Sequence, residues 1–168
     1  MAGMNLFDDP DYSTFLPEAV WTEILPRLWQ GGTQDDDTLS HLNEEPRIQL
    51  SMFDTIVTLH AWSNPVDWHV REIRQTFQDG GMDELDINDV WFLARQVYSE
   101  WQQGRRIGVR CLSGLNRSGL IVALVLMLAG HTADEAISLM RSKRHKNVLC
   151  NSNYEAWLRQ LDIGAHVD

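Results

Sequence analysis

The segment Cys111-Leu-Ser-Gly-Leu-Asn-Arg117-Ser118 carries a thiol, a glycine-bearing loop and a guanidinium within reach of one tetrahedral anion. Two cysteines and twelve arginines in 168 residues would place a Cys and an Arg six positions apart by chance, so the flanks decide the matter. An apolar run, Ile107-Gly-Val109, precedes the segment and another, Leu120 to Leu128, follows it. Strand, tight loop and helix N-terminus is a context in which the backbone N–H groups of Leu112, Ser113, Gly114, Leu115, Asn116 and Arg117 form an anion nest, reinforced by the helix dipole. The same field favours a thiolate: cysteines at helix N-termini beside a cation ionise at about pH 3.5–7.5 rather than about 8.5. Arg117 offers two parallel donors to phosphate oxygens, a geometry lysine lacks.

The remaining parts of the segment fit nucleophilic displacement at phosphorus. Gly114 tolerates the positive φ that a cradle needs, and Gly119 lets the new helix pack close to the strand. Ser118 places a hydroxyl where it can stabilise the Cys111 sulfur as nucleophile and as leaving group. Departure of an alkoxide needs a proton, and the stretch Gln78-Asp79-Gly80-Gly81-Met82-Asp83-Glu84-Leu85-Asp86 supplies acids on a glycine-rich loop. Asp79 follows a strand-like run directly. Asp83 is the second choice, and Asp86 reads as the N-cap of the next helix. A merely solvated acidic loop competes with each of these.

Residues 1 to 19 show no sustained period and read as an extended arm, followed by one catalytic domain over 20 to 168. Gly31-Gly32 reads as a turn, and Asp35-Asp-Asp37 after it as the acidic start of a short helix rather than a metal site. Pro46 precedes a β-rich run from Met52 to Leu59, and Val70 to Phe77 reads as a further strand. From Ile87 to Trp101 the apolar residues Ile87, Val90, Trp91, Ala94, Val97, Tyr98 and Trp101 recur at helical spacing, and Gly104 ends the helix. Thr132 and Glu135 form a capping box for a helix running to Arg144, and Asn151 caps the last one. This alternation predicts an α/β fold with a central, mostly parallel sheet and helices on both faces. The seven tryptophans read mostly as packing, with Trp62 at the mouth of the pocket.

The formal charge is −10 and the pI about 4.9, which argues against a nucleic-acid or anionic-membrane surface. The first residues show no basic-then-apolar pattern of the kind expected of a leader, and the longest apolar stretch, Leu120 to Ala129, falls short of a membrane span. Two cysteines without paired-thiol or zinc spacing suit a reducing compartment, so the expected location is the cytoplasm.

In these residues the chain resembles the cysteine-dependent protein phosphatases, and within them the compact dual-specificity branch. The resemblance extends to Trp21–Gly32 as the opening strand pair, Phe53–Leu59 as the central strand, and Asp134–Arg144 with Asn151–Leu161 as the closing helices. The wording Gly114 to Gly119 is similar to bacterial members. The family's acid-to-nucleophile spacing matches the 32 residues from Asp79 to Cys111. The resemblance implies a phosphatase that acts on phosphotyrosine, phosphoserine or phosphothreonine of proteins through a phosphocysteine, with phosphate, sulfate or vanadate as loop ligands and with no metal or cofactor. It also implies catalytic roles for Cys111, Arg117, Asp79 and Ser118.

Two departures stand out. Arg110 occupies the place of the family's histidine, and it either supplies charge there or points into solvent. No tyrosine-bearing recognition loop is evident, which implies a shallow pocket. Related readings are an RNA 5′-triphosphatase, disfavoured by charge, a phosphoinositide phosphatase, a rhodanese-like sulfurtransferase and a silent phosphopeptide-binding module. Cys150 is either a small packed side chain or a partner that traps oxidised Cys111.

Overall fold

The computed structural model describes residues 15–33 and 53–165. Five strands form one sheet: β1 (Trp21–Leu25), β2 (Leu28–Gly32), β3 (Thr55–Thr58), β4 (Arg71–Arg74) and β5 (Ile107–Cys111). Their order is β1-β2-β5-β3-β4. β1 and β2 pair antiparallel through a tight turn in which Arg27 adopts a φ of 70°, and every other pairing is parallel. β5 lies in the middle and is buried along its whole length, as parallel strands covered on both faces must be. The expected mostly parallel sheet is therefore present.

Alternation along the strands sorts the two faces. Ile24, Leu28, Val57, Ile107, Val109 and Cys111 join a single apolar cluster with the helices α1 (Ile87–Gln102), α2 (Arg117–Leu128), α3 (Ala133–Lys143) and α4 (Ser152–Gln160). α2 sits at its centre and is buried from Ser118 to Met127, which explains why its sequence is apolar all round rather than amphipathic. On the opposite face Phe53, Ile56 and Val70 gather with Trp21, Trp29 and Val66. Trp21 and Phe53 stack at 4.6 Å between ring centres, and Gly108 makes room for them, since a Cβ there would meet the Trp21 ring at 2.7 Å. The short helix expected from Asp35 lies outside the described residues.

Local signals account for the helix boundaries. Asp86 caps α1 by accepting from the Asn88 N–H, and Gly104, at a φ of 87°, follows its end. Thr132 and Glu135 form both halves of the capping box of α3, an arrangement worth about 1 kcal/mol per cap. Asn151 caps α4 through the Asn153 N–H. Two expectations change. The strand predicted over Val70 to Phe77 is confined to Arg71–Arg74, although Gln75 N and Phe77 N still donate to Thr58 O and Leu59 O beyond it. Gly31 and Gly32 do not form a turn but end β2.

Candidate active site

Gly32 is small because the loop after β5 lies directly on it, and Gly31 because the Trp21 ring does. A Cβ on Gly32 would meet the Leu112 carbonyl oxygen at 2.8 Å, and one on Gly31 would meet Trp21. The loop leaves β5 at Cys111, turns through Gly114 at a φ of 69° and enters α2 at Arg117.

Each carbonyl of this loop is held from outside. Cys111 O accepts from Thr33 Oγ1 at 3.2 Å, and Leu112 O from Thr33 N at 2.7 Å. Ser113 O accepts from Arg144 Nη2 at 3.3 Å. Gly114 O accepts from both Arg144 Nε at 2.7 Å and Gln30 Nε2 at 3.1 Å. Leu115 O accepts from Leu149 N at 3.0 Å, and Asn116 O from Leu120 N at 2.8 Å inside the first helical turn. Across a trans peptide the N–H points opposite to the carbonyl, so outward carbonyls at 111 to 116 turn the N–H groups of 112 to 117 toward the concave side. That is the arrangement an anion nest needs.

Cys111 is buried at the floor, its Sγ 3.3 Å from Ser118 Oγ. Gln30 donates to the same hydroxyl at 3.3 Å, which leaves the Ser118 proton free to turn toward the sulfur. Gly119 is glycine because Leu149 and Gln30 close on it, at 3.1 and 3.4 Å from a Cβ position, rather than because of the strand alone.

Arg117 spans the cradle and the acidic loop. Its Nη1 donates to Phe77 O at 3.1 Å and lies 3.4 Å from His60 Nδ1, while its buried Nε has no partner among the described residues. The acid brought to the cradle is Asp79. Its Oδ2 accepts from Asn116 Nδ2 at 2.8 Å and its Oδ1 from Asn151 Nδ2 at 2.6 Å. Asp83 sits in a short 3-10 turn, Met82–Glu84, and Asp86 is occupied as the α1 cap.

Tyr154 clamps the chain on both sides of Asp79: its hydroxyl donates to Gln78 O at 3.1 Å and accepts from Gly80 N at 3.4 Å. Burial pushes the Tyr154 phenol up to about 12, so it stays neutral and able to donate across the working pH range. Asn151 adds a bond to Gly80 O at 2.9 Å. Cys150 is exposed beside Asn116, with its sulfur 3.5 Å from Asn116 Nδ2, rather than packed in the core.

Arg110 does not reach solvent. It is buried on the opposite face of β5 from Cys111, donating to Thr58 Oγ1 at 3.0 Å, Asn64 O at 2.6 Å and Glu72 Oε2 at 3.2 Å. Burial lowers the Arg110 ionisation below the usual guanidinium value, and Glu72 offsets part of that. Arg74 completes the cluster through Glu72 and the Ser63 carbonyl. This holds the β3–β4 loop, which carries His60 and Trp62.

Beside the cradle, His60, Ala61, Trp62, Phe77, Asp79 and Arg117 line a cavity of about 470 Å³, with Trp62 80% exposed at its edge. Among the described residues no group of three or more His, Cys, Asp or Glu could hold a metal ion, and no helix is long and apolar enough to cross a membrane.

Solved structures share the fold. A human structure called DUSP28 superposes with a TM-score of 0.68 at 15% identity, over 84% of this chain and 92% of that one. The fold is that of the dual-specificity phosphatases. The human tyrosine phosphatase-like serine/threonine/tyrosine-interacting protein superposes at 0.66 with 18% identity, over 83% of this chain and 93% of that one. In sequence, the chain is 33% identical over 75 residues to the Probable protein tyrosine phosphatase type IVA B of Dictyostelium discoideum. That match spans 44% of this chain and 45% of the relative's length. No family model matches the chain.

No motif marks Gln30, Thr33, His60, Arg144, Asn151 or Tyr154 as part of this site. Asn151 carries the signal of a helix cap, and it does both jobs. The others approach from segments with no sequence mark of their purpose.

Proposed function

We propose that the chain is a cysteine-dependent phosphatase that hydrolyses phosphomonoesters of proteins. The observation that supports it best is the outward pairing of every loop carbonyl from Cys111 to Asn116, with an Arg117 Nε that has no partner among the described residues. The Cys111 sulfur lies at the floor of that space with the Ser118 hydroxyl 3.3 Å from it, and the thiolate is the stronger nucleophile of the two.

In the first step the Cys111 thiolate attacks phosphorus. A sulfur–phosphorus bond forms, the phosphorus–oxygen bond to the substrate breaks, and protonated Asp79 gives its proton to the departing oxygen. The N–H groups of 112 to 117 and the Arg117 guanidinium hold the equatorial oxygens as charge spreads over them. In the second step Asp79 takes a proton from water, the water oxygen bonds to phosphorus, and the sulfur leaves as a thiolate that accepts a hydrogen bond from Ser118. The charge is carried by Arg117 and backbone dipoles, so the scheme calls for no metal. A net charge of −10 disfavours an RNA substrate.

The test is hydrolysis of p-nitrophenyl phosphate in EDTA and reductant by the wild type and Cys111→Ser, with vanadate as inhibitor. The expected result is vanadate-sensitive turnover that the substitution abolishes. Substantial turnover by Cys111→Ser would overturn the proposal, and a silent wild type that still binds vanadate would make the chain a phosphate-recognition module instead.

A further inference from the structure

Two arginines outside the cradle flank the nucleophile, and only one of them has its charge answered. Arg110 meets Glu72 at 3.2 Å on the far side of β5. Arg144, at the end of α3, donates to Gly114 O, Ser113 O, Ala19 O and Thr22 Oγ1, which are all neutral acceptors. No salt bridge among the described residues includes it. Glu18, Glu23, Lys143 and His145 line the same cavity behind the loop, and neither glutamate reaches an ion pair with it. Arg144 is only partly buried, and a cation partly withdrawn from water and held by dipoles alone is favoured by an anion nearby. The guanidinium is also pressed against the cradle: a Cβ on Gly114 would meet Arg144 Nη2 at 2.3 Å.

We infer that Arg144 is a positioning residue for the nucleophile, bracing the cradle from behind and supplying the fixed positive charge that the Cys111 thiolate answers. Burial lowers the Arg144 ionisation to about 10, and the Cys111 charge acts in the opposite direction, in keeping with such a pairing. The inference rests on the reading of Cys111 as the nucleophile. It also explains how the chain dispenses with a histidine before Cys111: Arg110 is turned away, and the charge comes from α3. The other titratable groups around the thiol are Arg117 on α2, Asp79 on the acidic loop, Tyr154 on α4 and His60 on the β3–β4 loop. None of these is among the groups to which Arg144 donates.

The test reads the thiol directly and needs no substrate. In a Cys150→Ser background Cys111 is the only cysteine, and its rate of alkylation by iodoacetamide against pH gives its ionisation midpoint. Arg144→Gln should raise that midpoint by about one pH unit or more, the range a neighbouring opposite charge commands. Arg144→Lys, which keeps the charge but loses the fork, should hold the midpoint within a few tenths while lowering kcat. A midpoint unmoved in folded Arg144→Gln, or raised equally by Arg144→Lys, would overturn the inference. Should Arg144→Gln fail to fold, Arg144→Lys decides alone: a midpoint near that of the parent supports the inference, and a rise of a full unit refutes it. A normal shift in a protein that hydrolyses nothing would leave this inference standing and sink only the proposed activity.

Discussion

Tyr154→Phe isolates the contribution of acid placement, because it removes one buried hydroxyl and leaves the ring that packs in the core. The hydroxyl fastens Gln78 O at 3.1 Å and Gly80 N at 3.4 Å, the two residues on either side of Asp79. Neutral hydrogen bonds contribute about 0.5–1.5 kcal/mol each, and the second bond is long, so the clamp is worth about 2 kcal/mol. If that sum holds the acid loop in register, its loss lowers the competent fraction roughly 10- to 30-fold. The loss should appear in kcat for a phosphoserine peptide, whose leaving group needs the proton. It should be less than about 3-fold for p-nitrophenyl phosphate, whose leaving group scarcely needs it. Steady-state kinetics on both substrates, with a thermal melt as the control for folding, makes the comparison. Equal reductions for the two substrates, or unchanged turnover of the peptide, would refute the reasoning. The same residue has a pH signature. Its folded ionisation, raised to about 12, stabilises the fold fully below its unfolded value near 10, and that stability is lost as the pH rises through this window. Wild type should therefore lose more stability than Tyr154→Phe between about pH 10 and 12.

Glu72→Gln leaves the Arg110 charge buried without its partner and should cost about 3–5 kcal/mol in chemical denaturation. Burial works against the Glu72 charge, but Arg74, Thr58 and Arg110 outweigh it and hold its ionisation below the usual carboxylate value, so its contribution is present above about pH 4.5 and lost as the pH falls. The wild-type melt should thus fall more steeply into acid than that of the variant. Gly114→Ala forces a side chain onto a φ of 69° and into Arg144, so vanadate should bind at least about tenfold more weakly while the fold persists; unchanged binding would contradict the account of the cradle. Trp62→Ala removes the exposed ring at the cavity edge and should raise KM for phosphotyrosine peptides about 3- to 10-fold, the worth of one aromatic contact, with no change for phosphoserine peptides.

What could be read from sequence and what could not divide by range. Cys111 to Ser118 is contiguous, and its strand, loop and helix sequence follows from apolar runs on either side. The capping box of Thr132 and Glu135 and the Asp86 cap are contacts over two or three residues. Asp79 stood out only by its spacing to Cys111, and the structure shows why it rather than Asp83 faces the loop: Asn116 and Asn151 reach it from segments 37 and 72 residues away. The restraints on the carbonyls come from Gln30, Thr33, Arg144 and Leu149, each brought in by the sheet order or by the return of the chain after α3. No local pattern marks a glutamine in β2 as a loop brace. Gly31-Gly32 reads as a turn because glycine pairs usually signal turns, whereas here Gly31 clears space for the Trp21 ring and Gly32 for the backbone of the loop after β5. Arg110 was ambiguous for a related reason: a charged residue within an apolar strand is legible only once Glu72 is known to lie across the sheet from it.

The central claim, that phosphate passes through the sulfur of Cys111, is tested most directly by trapping the intermediate. Rapid acid quench of Asp79→Asn during turnover of an aryl phosphate, followed by mass spectrometry of the peptides, should show one phosphoryl group on the peptide containing Cys111. The second step then lacks its base while the good leaving group still departs in the first. Phosphate found on Ser113, Ser118 or Cys150, or on no residue while turnover proceeds, would contradict the account.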